Sequence, residues 1–233
     1  MNTYSQTISV SRAEPSARAM FIRRTYGHLA GAILLFICVE AYLLQPHLAE
    51  PILRTFLGGK YSWLIVLGAF MGVSYLANWW ATNQSSVTLQ YFGLILYVIA
   101  EAVIFVPMIY ITQSYAPDVI PQAAVVTLSL FGGLTAVVFM TRKDFNFLGP
   151  ILTMVSFVAL GLIVSSILFG FTLGSLFSAV MIIFAAGAIL YSTSNVMLRY
   201  HTGQHVAASL SLFASVALLF WYIIRLLSSF SRN

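Results

Sequence analysis

The sequence contains very little charge, because Asp, Glu, Lys and Arg together make up 7% of its 233 residues. An ordinary soluble domain carries about 25% charged residues. So few charges cannot cover a surface that faces water, and most of the surface must therefore face lipid. Hydrophobic residues make up 60% of the chain, which leaves no length for a second, soluble domain.

Cysteine is almost absent from the chain. Cys38 is the only one, and it lies inside the first apolar segment. An intrachain disulfide and a cysteine-based zinc site are both excluded for that reason. The sequence also offers no catalytic motif and no loop large enough for a catalytic site. We therefore expect neither an enzyme nor a bound cofactor or metal.

The basic residues never form a run, although the formal net charge is +5. A nucleic-acid partner is therefore not expected. We interpret the basic residues as signals of membrane topology, and contact with anionic lipid is the second interpretation.

Long apolar segments occupy most of the chain. A bilayer core about 30 Å thick needs roughly 20 apolar helical residues for each crossing, and helices satisfy every backbone group in lipid. The sequence therefore predicts an all-α polytopic membrane protein, with a polar N-terminal tail at residues 1–24 and a transmembrane bundle of seven helices at residues 25–233. The predicted helices are 26–44, 62–82, 87–111, 121–140, 147–170, 175–198 and 206–227.

Two links between these helices, 83–86 and 170–174, carry no charge. Six crossings with one re-entrant segment is therefore the competing topology.

The distribution of Lys and Arg predicts the orientation. One side of the predicted bundle carries seven basic residues: Arg12, Arg18, Arg23, Arg24, Arg142, Lys143 and Arg199. The other side carries four: Arg54, Lys60, Arg225 and Arg232. The positive-inside rule then places the N-terminus in the cytoplasm. The short loops favour a bacterial inner membrane as the location.

Two acidic residues lie within apolar segments. Glu101 is in the middle of the third predicted helix, where an isolated carboxylate costs several kcal/mol, so it must be protonated, paired or in contact with water. Its role as a proton or cation contact in a transport pathway and its role as a hydrogen-bonded packing residue are both open. Glu40 lies near the end of the first helix, and we expect it to be solvated or paired.

The last two predicted helices carry polar residues at similar depths. The sixth contains a polar run from Ser192 to Asn195, and the seventh contains Ser211 and Ser215, four residues apart. These side chains could face each other across a helix pair. Hydroxyl groups also bond their own helix backbone, so we favour packing over a solute path, although the amide of Asn195 is costlier in lipid.

Small residues recur at spacings that suit close contact between helices in a membrane. The examples are Gly68 with Gly72, the pair Gly132 and Gly133 with Ala136, and the segment 185–188. We expect them to lie at helix contacts.

Residues 141–149, TRKDFNFLG, resemble the T-x-K-D-F-S-x-L-G loop of the transmembrane Bax-inhibitor-motif family. Segments 21–26 and 219–225, together with the segment around Tyr191, agree with the same family in the same order. The resemblance implies a seven-helix bundle that encloses the last helix. In several members it also implies a pH-sensitive calcium leak, attributed to two facing aspartates.

The two aspartate positions of that family correspond to Ser192 and Ser215 in this sequence. Both carboxylates are missing, so the resemblance carries the fold here but not the calcium mechanism. Asp144 is the aspartate retained from the loop motif. We interpret it as a residue that stabilises a helix N-terminus or the loop, and contact with a partner is the alternative.

Three functions follow from these observations. A channel or transporter for calcium or protons, dependent on Glu101, is narrowly favoured. The alternative is a non-conducting regulator that binds other membrane proteins, such as a quality-control protease. A membrane enzyme comes last.

Overall fold

The protein was analysed as a computed structural model that describes residues 8–59, 61–83 and 86–231. Lys60 and Arg232 of the charge count, Gln84 and Ser85 of an uncharged link, and residues 1–7 of the predicted tail lie outside the described residues. The helices are α1 (Pro15–Leu43), α2 (Pro46–Leu57), α3 (Ser62–Ala81), α4 (Val87–Tyr115), α5 (Val119–Thr141), α6 (Leu148–Phe169), α7 (Ser175–Leu198) and α8 (His205–Phe230).

Seven of these helices, all except α2, are long and apolar enough to cross a membrane. The prediction of an all-α polytopic protein with seven spans is confirmed. Large apolar side chains cover the outside of the bundle: Ile65, Tyr75, Phe157 and Ile183 are between 71% and 77% exposed. Such a surface suits lipid and not water.

The first helix begins earlier than the sequence indicated. α1 starts at Pro15 rather than at Tyr26, so residues 15–24 of the predicted polar tail are helical. Proline suits the first helical position because its fixed φ angle matches the helix and its missing N–H is not needed there. The change in polarity near Arg24 marks where the apolar surface begins, but the helix starts about two and a half turns earlier in the sequence, at Pro15.

The helix α2 was not predicted. It begins at Pro46 and buries Ala49 and Phe56, while Glu50 and Arg54 remain exposed, with 3.9 Å between their charged groups. A short helix with one apolar face is too short to cross the bilayer. It connects two spans at the end of the bundle opposite to the 142–147 loop, and we call these two ends the far end and the loop end.

The last helix occupies the centre of the bundle. α8 packs against α1, α3, α4, α5 and α7 and has the largest buried share of the seven spans. Its side chains Leu212, Leu219 and Ile224 are fully buried. The expectation that the other helices enclose the last helix is confirmed.

The helices α3 and α4 approach each other closely at Gly93. A Cβ atom at Gly93 would lie 2.6 Å from the backbone nitrogen of Ala81 and would also meet the carbonyl oxygen of Ala77. Only glycine fits this contact, because the obstructing atoms belong to the backbone.

The predicted small-residue contacts are only partly present. Ala185 is fully buried, as expected. Gly68, Gly72, Gly132 and Gly133 are exposed, and a Cβ atom at each would meet nothing within 4 Å. The prediction is wrong for these four glycines, because spacing alone does not show which face of a helix points inward.

Candidate functional site

Three serines form a buried chain of hydrogen bonds between α7 and α8. The Ser211 hydroxyl donates to Ser192 Oγ at 3.1 Å, and Ser192 Oγ lies 3.1 Å from Ser215 Oγ. The Ser215 hydroxyl donates to the carbonyl oxygen of Ser211 at 3.0 Å. Since each hydroxyl has one hydrogen, Ser192 donates to Ser215. All three donors are satisfied within the chain.

The predicted meeting of Ser192 and Ser215 across a helix pair is therefore confirmed. A hydroxyl pair relays hydrogen bonds, but it has no charge with which to attract a divalent cation. Within residues 8–59, 61–83 and 86–231, no three His, Cys, Asp or Glu side chains come together in a metal-binding group. The chemistry of the Ser192–Ser215 pair is therefore limited to hydrogen bonding.

Asn195 is not part of the serine chain. Its side-chain oxygen Oδ1 is buried and accepts no hydrogen bond from the described residues. Its backbone carbonyl accepts from the backbone nitrogens of Arg199 and Tyr200, at the point where α7 ends. An unsatisfied buried amide oxygen is costly, so Asn195 is a polar group that the fold leaves available.

Glu101 is buried in the middle of α4, with 8% of its surface exposed. Its carboxyl group hydrogen-bonds the Tyr97 hydroxyl, which comes from one helical turn earlier. The Tyr97 ring packs against Phe70 and Phe213, with both pairs of ring centroids 6.2 Å apart. The acid is therefore held in one position by its own helix.

Glu101 also lines a cavity of about 400 Å³ between α3, α4, α6 and α8. Aromatic side chains form much of its wall, and Ser166 and Arg225 provide polar groups. A second cavity, of about 410 Å³, lies at the far end of the bundle and is lined by hydroxyl groups. Leu173 and Arg225 line both cavities.

Arg225 is fixed at the boundary between these cavities. Its Nη2 atom donates to the carbonyl oxygen of Leu173 at 2.7 Å, and its guanidinium carbon lies 5.9 Å from the centroid of the Phe177 ring. This guanidinium places a positive charge next to both cavities.

Glu40 requires a correction. It was predicted to be solvated or paired, but it is 5% exposed, and neither carboxylate oxygen has a hydrogen-bond partner among the described residues. Ala32, Phe36 and Glu40 are all buried at four-residue spacing, which places them on one helix face. The side chain of Glu40 points inward because it lies on the buried face of the helix, although the end of the helix is near.

The 142–147 loop is tied to the end of α7. Asp144 lies 2.8 Å from the guanidinium of Arg199 and accepts a hydrogen bond from the backbone nitrogen of Asn146 at 2.9 Å. The hydrogen bond from Asn146, followed by that from Arg199, lowers the pKa of the Asp144 carboxyl. The Phe145 backbone nitrogen donates to Ser194 Oγ at 3.0 Å. The loop-stabilising role predicted for Asp144 is confirmed.

Two polar contacts at the candidate site were missed in the sequence. The Tyr97 partner of Glu101 was signalled by the four-residue spacing, which places both side chains on one helix face. Arg225 was counted as a topology signal and was expected to reach the interface from the end of its helix, whereas its partner is the carbonyl oxygen of Leu173 in a distant link. Sequence spacing gives no sign of that contact.

The fold and its buried polar groups define the class of protein: a polytopic α-helical membrane protein with seven spans. A family model described as "Inhibitor of apoptosis-promoting Bax1" matches residues 18–232. The chain therefore belongs to the Bax inhibitor family, and the resemblance inferred from the 141–149 loop is confirmed.

Several relatives resemble this chain. An uncharacterized protein of Pseudomonas aeruginosa is 30% identical over 203 residues, covering 85% of this chain and 84% of that protein. A BI1-like protein of Arabidopsis thaliana is 38% identical over 47% of this chain and 44% of its own length. The modulator of FtsH protease YccA of Escherichia coli is 34% identical over 50% of this chain and 53% of its own length. The chain thus matches about half the length of the last two relatives.

Proposed function

We propose that the chain is a proton-conducting protein of a bacterial inner membrane in which Glu101 is the group that accepts and releases the proton. The observation that carries this proposal is the position of the carboxyl group. It is buried at mid-helix, bonded to Tyr97, and lines a cavity that shares Leu173 and Arg225 with a second cavity at the far end.

A packing role alone accounts poorly for this arrangement. An ionisable residue within a membrane span is costly and usually marks a functional path. A cavity of about 400 Å³ has room for on the order of ten waters, since one water occupies roughly 30 Å³ in the liquid. Water in this cavity would connect the carboxyl group to the far end.

The surroundings favour protons over calcium. Calcium binding needs several oxygen ligands, commonly carboxylates, and Ser192 and Ser215 provide uncharged hydroxyl groups instead of carboxylates. Arg225 places a positive charge at the boundary between the cavities, which opposes a divalent cation more strongly than a proton passed along hydrogen bonds. The chain of three serine hydroxyls is a hydrogen-bond relay on the loop-end side of the bundle.

An aromatic side chain of α8 packs against the hydrogen-bond partner of the acid. Phe213 lies between Ser211 and Ser215 in the chain, and its ring packs against Tyr97, the partner of Glu101. We infer that this ring lies across the route from the relay to the acid and that conduction requires it to move.

Liposome flux measurements test the proposal. The purified protein is reconstituted with a pH dye or a calcium dye inside the vesicles, and wild type is compared with Glu101→Gln. Glu50→Gln is the matched control, because Glu50 is an exposed carboxylate on α2. We expect proton flux from wild type and the control, little from Glu101→Gln, and no calcium flux. Equal proton flux from Glu101→Gln and wild type would refute the role of this acid.

The proposal includes an orientation, with the N-terminus in the cytoplasm, which the distribution of basic residues supports. Cys38 is the only cysteine, so a Cys38→Ser background permits single cysteines to be labelled from one side of the membrane. A cysteine at Lys143 should react from the cytoplasmic side and one at Thr172 from the opposite side.

A regulator of a membrane protease is the second candidate. It is favoured by the similarity to the E. coli modulator of FtsH protease, which is 34% identical over 119 residues. Adding the reconstituted chain to FtsH protease and measuring the degradation rate of a membrane substrate tests it. A changed rate with both wild type and Glu101→Gln, together with absent proton flux, would favour this candidate. Neither candidate assigns enzymatic chemistry to the chain itself.

A further inference from the structure

A groove with a volume of about 590 Å³ lies between α1 and α4, apart from the Glu101 cavity. Arg23, Arg24 and His28 line one end of it, and the rest of its lining is almost entirely apolar, including Leu35 and Val98. One end therefore suits an anion and the remainder suits a hydrocarbon chain.

Two glycines create the depth of this groove. Gly27 and Gly31 lie one turn apart on α1 and are exposed, and a Cβ atom at either would meet nothing within 4 Å. The surface over them is open to the surroundings of the bundle. From Arg24 to Leu35 the helix rises about 16 Å, which is the length of a substantial part of a lipid acyl chain.

The basic end of the groove is available for an anion. Arg23 and Arg24 are exposed, and among the described residues the carboxylate ion pairs involve only Arg54 and Arg199. Two adjacent guanidinium groups thus lie where an apolar groove reaches the end of the membrane span.

His28 fixes the two walls of the groove to each other. Its Nδ1 atom donates to the carbonyl oxygen of Arg24 at 2.7 Å, and its Nε2 atom lies 2.8 Å from the Tyr91 hydroxyl of α4. Since a carbonyl oxygen only accepts, the hydrogen on Nδ1 is assigned. This bridge keeps the basic residues next to the groove.

We propose that this groove binds an anionic phospholipid of the surrounding bilayer, with the phosphate at Arg23 and Arg24 and one acyl chain over Gly27 and Gly31. Basic pockets between membrane helices select acidic headgroups in this way, since each nearby basic residue strengthens binding to an anionic lipid surface. A zwitterionic lipid fills the same groove, but its own ammonium group offsets the phosphate charge and is repelled by the two arginines.

Native mass spectrometry of the protein from nanodiscs that contain equal amounts of phosphatidylglycerol and phosphatidylcholine tests the proposal. Wild type should retain phosphatidylglycerol preferentially. In the Arg23→Gln/Arg24→Gln variant, the ratio of bound phosphatidylglycerol to bound phosphatidylcholine should fall about 10- to 30-fold, because two basic residues are removed. Gly31→Leu should lose retained lipid without any change of charge, because the new side chain fills the groove.

A matched charge control is present at the same end of the bundle. Tyr26 and Phe139 have ring centroids 5.9 Å apart, so Arg142 and Lys143, just beyond the end of α5, lie at the level of the groove's basic end. Arg142→Gln/Lys143→Gln should keep the preference for phosphatidylglycerol.

Three results would overturn the proposal. An equal loss in the control would mean that surface charge alone attracts the lipid. An unchanged preference in Arg23→Gln/Arg24→Gln would remove the headgroup assignment, and unchanged lipid retention in Gly31→Leu would remove the acyl-chain assignment. Circular dichroism of each variant in the same nanodiscs checks that the helices remain folded.

Discussion

The replacement of Gly93 by alanine adds a single carbon atom at the closest contact between α3 and α4. Its Cβ atom would lie 2.6 Å from the Ala81 nitrogen and 3.1 Å from the Trp80 Cβ, and it would also meet the Ala77 carbonyl oxygen. Overpacking of a core costs about 1–3 kcal/mol. Two of the obstructing groups belong to the backbone of α3, so a side-chain rotation cannot relieve them and the helix itself must shift.

The helix propensity acts in the opposite direction. Removing a glycine from a helix interior stabilises it by about 1 kcal/mol, so we expect a net destabilisation of about 1–2 kcal/mol from overpacking and propensity together. Gly132 in α5 is the control, because a Cβ atom there meets nothing within 4 Å. Gly132→Ala should keep or raise the melting temperature.

Thermal unfolding in one detergent, followed by tryptophan fluorescence or by loss of the monodisperse peak, measures both variants. The reasoning requires opposite signs: Gly93→Ala melts below wild type and Gly132→Ala does not. A melting temperature for Gly93→Ala equal to or above that of wild type would show that α3 and α4 are not in contact at this residue.

The other predictions concern Asp144, Glu40 and Phe213. Asp144→Asn should remove about 0.5–1 kcal/mol of stability at neutral pH. Because the pKa of Asp144 is lowered in the folded protein, the carboxylate stabilises the fold above the unfolded pKa of about 3.9, and this contribution disappears as the pH falls through the folded pKa. The melting temperatures of wild type and variant should therefore converge at acidic pH. Glu40→Met should raise the melting temperature, since an unpaired buried polar group costs about 1–3 kcal/mol, whereas the same change at exposed Glu50 should have little effect. Phe213→Ala should increase proton flux in liposomes, and the Phe213→Ala/Glu101→Gln double variant should lose that increase.

The membrane architecture was predictable because apolar length is a strong signal. Each of the seven spans contains far more apolar residues than a loop would hold, and the structure places a helix at all seven. The helix α2 was missed because it has one apolar face and two prolines, Pro46 and Pro51. A segment of that kind has neither the length nor the polarity contrast on which the prediction of spans depends.

The orientation of individual side chains was less predictable, because it depends on helix phase. Glu40 and the four exposed glycines show the limit: their segments are apolar on all sides, so the sequence does not distinguish the face toward lipid from the face toward α8. The meeting of Ser192 with Ser215 was predictable because two similar depths on neighbouring helices coincide with the two aspartate positions of the family. The contact of Arg225 with Leu173 depends on a tertiary arrangement and has no local signal.

The polar interior is divided along the axis of α8. Near the loop end, Ser192, Ser211 and Ser215 form an uncharged chain, whereas Glu101 and Arg225 place charged or titratable groups around the cavity toward the far end. A relay of hydroxyl groups passes a proton without binding a cation, while a carboxyl group held beside water is able to exchange one. If this division governs function, loss of the aspartate pair moves the titrating step from the α7–α8 contact to α4. The flux should then fall strongly in Glu101→Gln. It should also fall in Ser192→Ala, because Ser192 links Ser211 to Ser215 in the relay, whereas Ser192→Thr, which keeps a hydroxyl group, should retain it.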